Sequence, residues 1–150
     1  MTETIVAAAS VILRHAGRYL LVERARGDSA GQFAFPGGRA DPDETPEATA
    51  RRELREETGL EAGELSEYAR FRIESTHGLV YALTVFVATH NGIGETVADD
   101  DAASVIWVTA AQSMHLDMPV SVRACIAALE DGVPLGDVPG LVGGGDIPPR

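Results

Sequence analysis

The chain has 150 residues, the length of one ordinary domain with a substantial core. Its formal net charge of −11 argues against nonspecific binding to a nucleic acid polymer, which requires clustered lysine and arginine. No apolar run reaches the roughly 18 residues of a membrane helix, so we expect no membrane partner. The N-terminus lacks a basic start followed by a long apolar stretch, and Cys125 is the single cysteine. Both features favour a cytoplasmic location.

The first third of the chain has the pattern of a hairpin followed by a loop. Residues 5–13 and 19–23 are rich in β-branched and aliphatic side chains, and a turn is predicted between them. A polar loop is predicted over residues 24–32. Residues 33–35 are expected to form a short strand that runs into Gly37 and Gly38.

A helix is predicted directly after this strand. Thr45 is suited to cap its N-terminus, Pro46 to occupy the first helical position and Glu47 the first turn. The helix should run to about Thr58, because Gly59 suits a left-handed C-terminal cap.

The remaining pattern predicts three strands and a second long helix. The strands are expected at residues 70–74, 79–89 and 104–109, and the helix at 119–130. The alternation of strands and helices places the chain in the α/β class. Beyond residue 131, glycine and proline dominate. We therefore predict one domain over residues 1–131 and a mobile or extended tail over residues 132–150.

One sequence motif with fixed spacing indicates the function. It reads G-x5-E-x7-R-E-U-x-E-E-x-G-U, where U is a bulky aliphatic residue, and every fixed position is filled. The positions are Gly38, Glu44, Arg52, Glu53, Leu54, Glu56, Glu57, Gly59 and Leu60. Glu53, Glu56 and Glu57 fall within roughly one 100° arc of the predicted helix. Because like charges repel at this spacing, a divalent cation is the expected reason for the cluster. Carboxylate ligands suit Mg²⁺ or Mn²⁺.

This frame resembles the Nudix box, and Phe35-Pro36-Gly37 before it resembles the segment that usually leads into that box. The resemblance implies an α+β sandwich, the Nudix fold, in which helices flank a mixed β-sheet. It implies that Glu53, Glu56 and Glu57 bind the metal, joined by a backbone carbonyl of Gly37 or Gly38. Arg52 would orient a catalytic carboxylate. Glu44 would either reach the metal through water or cap the helix.

The resemblance also implies the reaction, which is metal-dependent hydrolysis of the diphosphate linkage in a nucleoside diphosphate derivative. The catalytic base would be Glu53 or an acid of a later loop, for which Asp100 is the choice. Arg24, Arg26 and Arg39 flank the box and are candidates for binding substrate phosphates.

Three functions follow from these observations. The first is hydrolysis of ADP-ribose or another ADP-sugar, on analogy with small bacterial ADP-ribose pyrophosphatases. The alternative is a nucleoside triphosphate pyrophosphatase that cleans the nucleotide pool. The third is a noncatalytic nucleotide sensor, which the intact set of box glutamates disfavours. Both a monomer and a homodimer are compatible with the sequence.

Overall fold

The computed structural model describes residues 3–27, 30–89 and 102–149. Within these residues the chain forms eight strands and three helices. They are β1 (Thr4–His15), β2 (Arg18–Arg24), β3 (Phe33–Ala34), β4 (Gly37–Arg39), α1 (Pro46–Thr58), β5 (Ser66–Glu74), β6 (Leu79–Thr89), β7 (Ala102–Val108), α2 (Ala110–Ser113), α3 (Val120–Asp131) and β8 (Leu141–Gly144). None of the described helices is long and apolar enough to cross a membrane.

The described strands form one mixed sheet. Its main path runs β3-β2-β1-β6-β5-β8, while β4 pairs with β1 and β7 pairs with β2. β1 and β6 are parallel from the Thr4–Leu79 pair to the Arg14–Thr89 pair, and the other pairings are antiparallel. The predicted hairpin is present, but β1 and β2 pair only at its tip. Upstream of the tip, β4 takes the place beside β1.

Two apolar clusters, one on each face of the sheet, hold the helices. Alternate residues of β1 point to opposite faces, as the two-residue period of a strand requires. Ala9 and Val11 pack with α1 through Ala50 and Leu54, whereas Ile12 belongs to the cluster that contains α3. The prediction of a mixed sheet flanked by helices is therefore confirmed.

The caps of α1 are those that the sequence predicts. The Thr45 side chain accepts a hydrogen bond from the Ala48 amide at 3.1 Å, and Gly59 ends the helix at φ 78°. β4 and α2 were not predicted. With three and four residues they are too short to show a period. β4 depends on its pairing with β1, whereas α2 is fixed locally by the capping box between Thr109 and Gln112.

The C-terminal segment returns to the sheet as β8. It pairs with β5 at the edge, and the Gly145 amide donates to the Tyr68 carbonyl at 2.7 Å. Leu135, Val138 and Leu141 pack against the cluster that contains α3. The segment over residues 132–150 thus holds an edge strand and three anchoring apolar side chains.

Truncation after Gly132 tests how much this segment contributes to folding. Removing three partly buried apolar side chains, at about 1 kcal/mol each, should lower the free energy of unfolding by about 3 kcal/mol. Urea unfolding would measure the difference. A chain that lacks only residues 146–150 keeps β8 and is the control. Equal stability of the Gly132 truncation and the full chain would show that the segment does not anchor the fold.

Candidate active site

Gly37 and Gly38 begin strand β4, and this segment, called the glycine loop below, packs directly against α1. The Gly37 amide donates a hydrogen bond to Oε1 of Glu57 at 2.8 Å, and Glu57 is buried with 7% of its surface exposed. A β-carbon on Gly38 would lie 2.5 Å from the carboxyl carbon of Glu53. Any side chain at residue 38 would therefore displace that carboxylate. The glycines let the backbone approach two acids of the helix.

Arg52 connects the acids of this region. Its Nη1 donates to Glu53 Oε1 at 3.0 Å and to Glu56 Oε2 at 3.1 Å. Its Nε and Nη2 donate to the carboxylate of Glu44 at 2.9 and 3.0 Å, and Nη2 also donates to the Arg39 carbonyl at 2.9 Å. The planar guanidinium is suited to such a set of fixed partners. It neutralises charge among acids that would otherwise repel one another.

Glu44 is held in place from three sides. Besides Arg52, the Asp41 amide donates to its Oε1 at 2.9 Å, and the Thr49 hydroxyl donates to the same oxygen at 2.7 Å. These hydrogen bonds, that from Arg52 foremost, lower the pKa of Glu44 to about 2. Of the two roles that the sequence left open for Glu44, capping the helix is filled by Thr45, and reaching the metal through water stays a prediction. The carboxylate anchors Arg52, and Thr45 caps the helix.

The three box glutamates differ in their surroundings. Burial raises the pKa of Glu53, and Arg52 opposes this rise. Glu57 faces the glycine loop, whereas the side chain of Glu56 is 56% exposed. Across the described residues, no three acidic, histidine or cysteine side chains already converge as a metal site. Even so, the donor set fits a hard cation, because Glu53 and Glu57 present carboxylates in a space that only glycine leaves open.

A cavity of about 420 Å³ opens beside the glycine loop, on the side of the sheet that α3 covers. Apolar side chains form most of its wall, among them Phe35, Phe71, Leu83, Val85 and Val122. Cys125 also lines it, and burial raises the pKa of that thiol to about 12. A cavity with such a wall can accommodate a flat, largely apolar group.

The three arginines predicted to bind substrate all line this cavity. Arg24 Nη1 donates to the Gly37 carbonyl at 3.2 Å. Arg39 Nη2 donates to the Tyr81 hydroxyl at 2.7 Å, and its guanidinium lies 5.3 Å from the centre of that ring. Arg26 is exposed at the rim. Asp100, the remaining predicted site residue, lies outside the described residues.

Sequence reasoning missed two residues of the site, Thr49 and Ser10, and the contact between Tyr81 and Arg39. Thr49 fixes Glu44, Tyr81 fixes Arg39, and Ser10 lines the cavity. Only Ser10 had a signal in the sequence, as the one hydroxyl within the apolar stretch of residues 5–13. The other two contacts join residues whose pairing depends on the fold.

Comparisons with known proteins agree with this geometry. A segment of 68 residues is 43% identical to the 8-oxo-dGTP diphosphatase of Haemophilus influenzae and covers 45% of this chain. The chain thus spans only half the length of that relative. The CTP pyrophosphohydrolase of Escherichia coli is 30% identical over 108 residues, which cover 71% of this chain and 77% of that protein.

A solved structure and a family model agree with this geometry as well. A crystal structure of the MutT NUDIX hydrolase from Burkholderia pseudomallei superposes with a TM-score of 0.67 at 25% identity, over 78% of this chain and 88% of that one. The sequence model of the NUDIX domain matches residues 3–129. The resemblance predicted from the box is confirmed, and the protein belongs to the NUDIX domain family.

Proposed function

We propose that this protein hydrolyses nucleoside triphosphates, releasing a nucleoside monophosphate and pyrophosphate. One observation carries the proposal. An apolar cavity adjoins the glycine loop against which Glu53 and Glu57 are packed. A nucleoside in the cavity would bring its phosphates to the carboxylates, where one water is added across a P–O–P bond.

Glu53, Glu56 and Glu57 would hold a divalent cation, Mg²⁺ or Mn²⁺, together with a carbonyl of Gly37 or Gly38. When bound, the cation supplies charge neutralisation at the phosphates and a lowered pKa for water. The chain's own contribution is the rigid placement of the acids. Glu57 is held by the Gly37 amide, and Glu53 is held by Arg52.

Glu53 is the candidate base for the attacking water. Burial raises the pKa of Glu53, which makes its carboxylate a better proton acceptor. Arg52 is a positioning residue, because its hydrogen bond fixes one oxygen of Glu53, while no hydrogen bond to the other oxygen is present among the described residues. Asp100 remains the alternative base from a later loop.

The arginines of the cavity supply the positive charge that a phosphate chain requires. Arg24 lies beside the Gly37 carbonyl, and its charge acts on Glu53. Arg39 directly follows the glycine loop. Both can donate two parallel hydrogen bonds to a phosphate once they leave their present partners. Their position between the acids and the apolar wall fits a substrate that has phosphates at one end and a base at the other.

The choice between a triphosphate and ADP-ribose rests on the relatives. The two relatives described above are named for 8-oxo-dGTP and CTP, both of which are nucleoside triphosphates. This supports the function that the sequence analysis ranked second. ADP-ribose or another ADP-sugar remains the alternative, since the box chemistry serves both.

The products distinguish these two reactions. Incubation with a panel of nucleoside triphosphates and ADP-sugars, with Mg²⁺ or Mn²⁺, should yield a nucleoside monophosphate and pyrophosphate by mass spectrometry. Production of AMP and ribose 5-phosphate from ADP-ribose, with no pyrophosphate from any triphosphate, would overturn the proposal in favour of the alternative.

Glu57→Gln tests the metal assignment. Glutamine keeps the oxygen that accepts from the Gly37 amide, so the variant should fold, but it removes a ligand charge. We expect kcat/KM to fall about a thousandfold, which corresponds to about 4 kcal/mol of transition-state stabilisation. Binding of Mn²⁺, measured by electron paramagnetic resonance, should weaken in parallel. Glu47→Gln, on the exposed side of the same helix, is the matched control and should retain activity and binding. Undiminished Mn²⁺ binding by Glu57→Gln would refute the assignment.

Glu44→Gln tests whether the Glu44 carboxylate anchors Arg52, through the pH dependence of the free energy of unfolding. The pKa of Glu44 is about 2 in the folded chain against an ordinary value of 4.5. A lowered pKa stabilises the folded state above the unfolded pKa, and this stabilisation is lost as the pH falls towards the folded pKa. The variant should therefore be less stable than the wild type at neutral pH, and the difference should shrink below about pH 4.5.

Urea unfolding with a metal chelator, at neutral pH and at about pH 3, measures this change. Glu47→Gln, which removes an exposed partner of Arg51, serves as the control. A difference that stays constant with pH would show that the Glu44 carboxylate does not stabilise the site through its charge.

A further inference from the structure

We propose that the hydroxyl of Tyr81 contacts the substrate directly, as a hydrogen-bond donor to a phosphate oxygen that Arg39 also binds. The inference rests on the proposed function and deepens it, because it adds a residue outside the box to the phosphate contacts of the same cavity. Tyr81 and Arg39 then act as one anion-binding pair, made of a phenol and a guanidinium. The ligand class is the phosphate chain of a nucleoside polyphosphate.

The sheet brings these two side chains together across β1. On one side of β1, Arg39 of β4 pairs with Ala8. On the other side, Tyr81 of β6 pairs with Val6. Residues two apart in a strand point to the same face, and paired residues of neighbouring strands share that face. The contact between Arg39 and Tyr81 therefore spans β1, where the small side chain of Ala8 lines the cavity and leaves room for it.

Arg39 is fixed at its backbone and at its side chain. Nη2 of Arg52 donates to the Arg39 carbonyl at 2.9 Å, and Nη2 of Arg39 donates to the Tyr81 hydroxyl at 2.7 Å. The Arg39 guanidinium also lies 5.3 Å from the centre of the Tyr81 ring, within the range of a cation–π contact. These contacts hold the guanidinium at the cavity wall, which reduces the entropy that is lost when it binds a phosphate.

Arg39 carries a positive charge that no described acid neutralises. Within the described residues it forms no ion pair, whereas Arg52 pairs with several acids. The one carboxylate among the described residues of the cavity wall belongs to Glu74, and it lies 3.6 Å from Nη2 of Arg72. In a chain of net charge −11, a guanidinium without an acidic partner is suited to an anionic ligand.

The Tyr81 hydroxyl keeps its own hydrogen to donate. A phenol can accept and donate at once, and here its oxygen accepts from Arg39. Over residues 3–27, 30–89 and 102–149, no acceptor for the phenol hydrogen is present. The neighbouring guanidinium polarises the O–H bond and makes it a stronger donor. A phosphate oxygen that replaces the hydroxyl as the acceptor for Arg39 can therefore accept from the hydroxyl as well.

Tyr81→Phe is the sharpest variant, because it removes only the hydroxyl and keeps the ring beside Arg39. Tyr68→Phe is the matched control. It removes the same atom from a tyrosine whose hydroxyl is buried, has no partner among the described residues, and does not line the cavity. Tyr81→Leu removes the ring contact as well and provides a second variant.

The measurement is binding by isothermal titration calorimetry in the presence of Mg²⁺. The ligands are the α,β-methylene analogues of CTP and of ADP-ribose, which resist cleavage at the α,β bridge. Tyr81→Phe should weaken binding of the tighter analogue about fivefold, because a hydrogen bond to a charged group is lost. Tyr81→Leu should weaken it further, and Tyr68→Phe should leave it unchanged. In an Arg39→Gln background, Tyr81→Phe should have a smaller effect, since both donors act on the same oxygen.

Three results would overturn the inference. They are equal affinity of Tyr81→Phe and the wild type, an equal loss in Tyr68→Phe, and a wild type that binds neither analogue. Binding of the analogues requires no turnover. A protein that releases no pyrophosphate from any triphosphate would therefore refute the proposed function alone, whereas normal release with an unchanged Tyr81→Phe affinity would refute only the role of Tyr81.

Discussion

The contact between the glycine loop and α1 is the constraint on which the site depends. Two carboxylates, those of Glu53 and Glu57, lie against backbone that carries no side chain. A single β-carbon at Gly38 would fill the space that the Glu53 carboxylate occupies. The contact in turn requires β4 to pair with β1, since this pairing brings the loop to the helix. The packing of both carboxylates therefore depends on β4, a strand of three residues that its pairing with β1 holds in place.

Charge is balanced at the same location. Arg52 donates to Glu44, Glu53 and Glu56, and the carbonyl of Arg39 accepts from it as well. In a chain of net charge −11, this guanidinium reduces the repulsion among the three acids that share the region. The bond from Thr49 to Glu44 extends the network into the packed side of the helix. A cation would therefore enter a set of acids already arranged around a fixed positive charge.

The sheet separates the acids of α1 from the apolar cavity, and the two meet at one residue. α1 packs on one face and α3 on the other, so the acids and the apolar cavity belong to different layers. The two meet at Gly37, whose amide binds Glu57 and whose carbonyl accepts from Arg24 of the cavity wall. In such an arrangement the wall of the cavity can change without disturbing the acids. Under the proposed function, this separation lets the box be shared across the family while the cavity wall determines the base.

The class of fold, the helix that carries the acids, and the family follow from the amino-acid sequence alone. Each depends on local information: the Thr45 cap, the glycine at residue 59, and the spacing of Glu53, Glu56 and Glu57 on one helix. Three contacts are visible only in the folded chain: Glu44 anchors Arg52, Tyr81 holds Arg39, and the segment after residue 132 contributes an edge strand. The same holds for the cavity between Ser10 and α3. These contacts join residues distant in sequence, and a period or spacing along the chain carries no information about which distant side chains the packed sheet brings together.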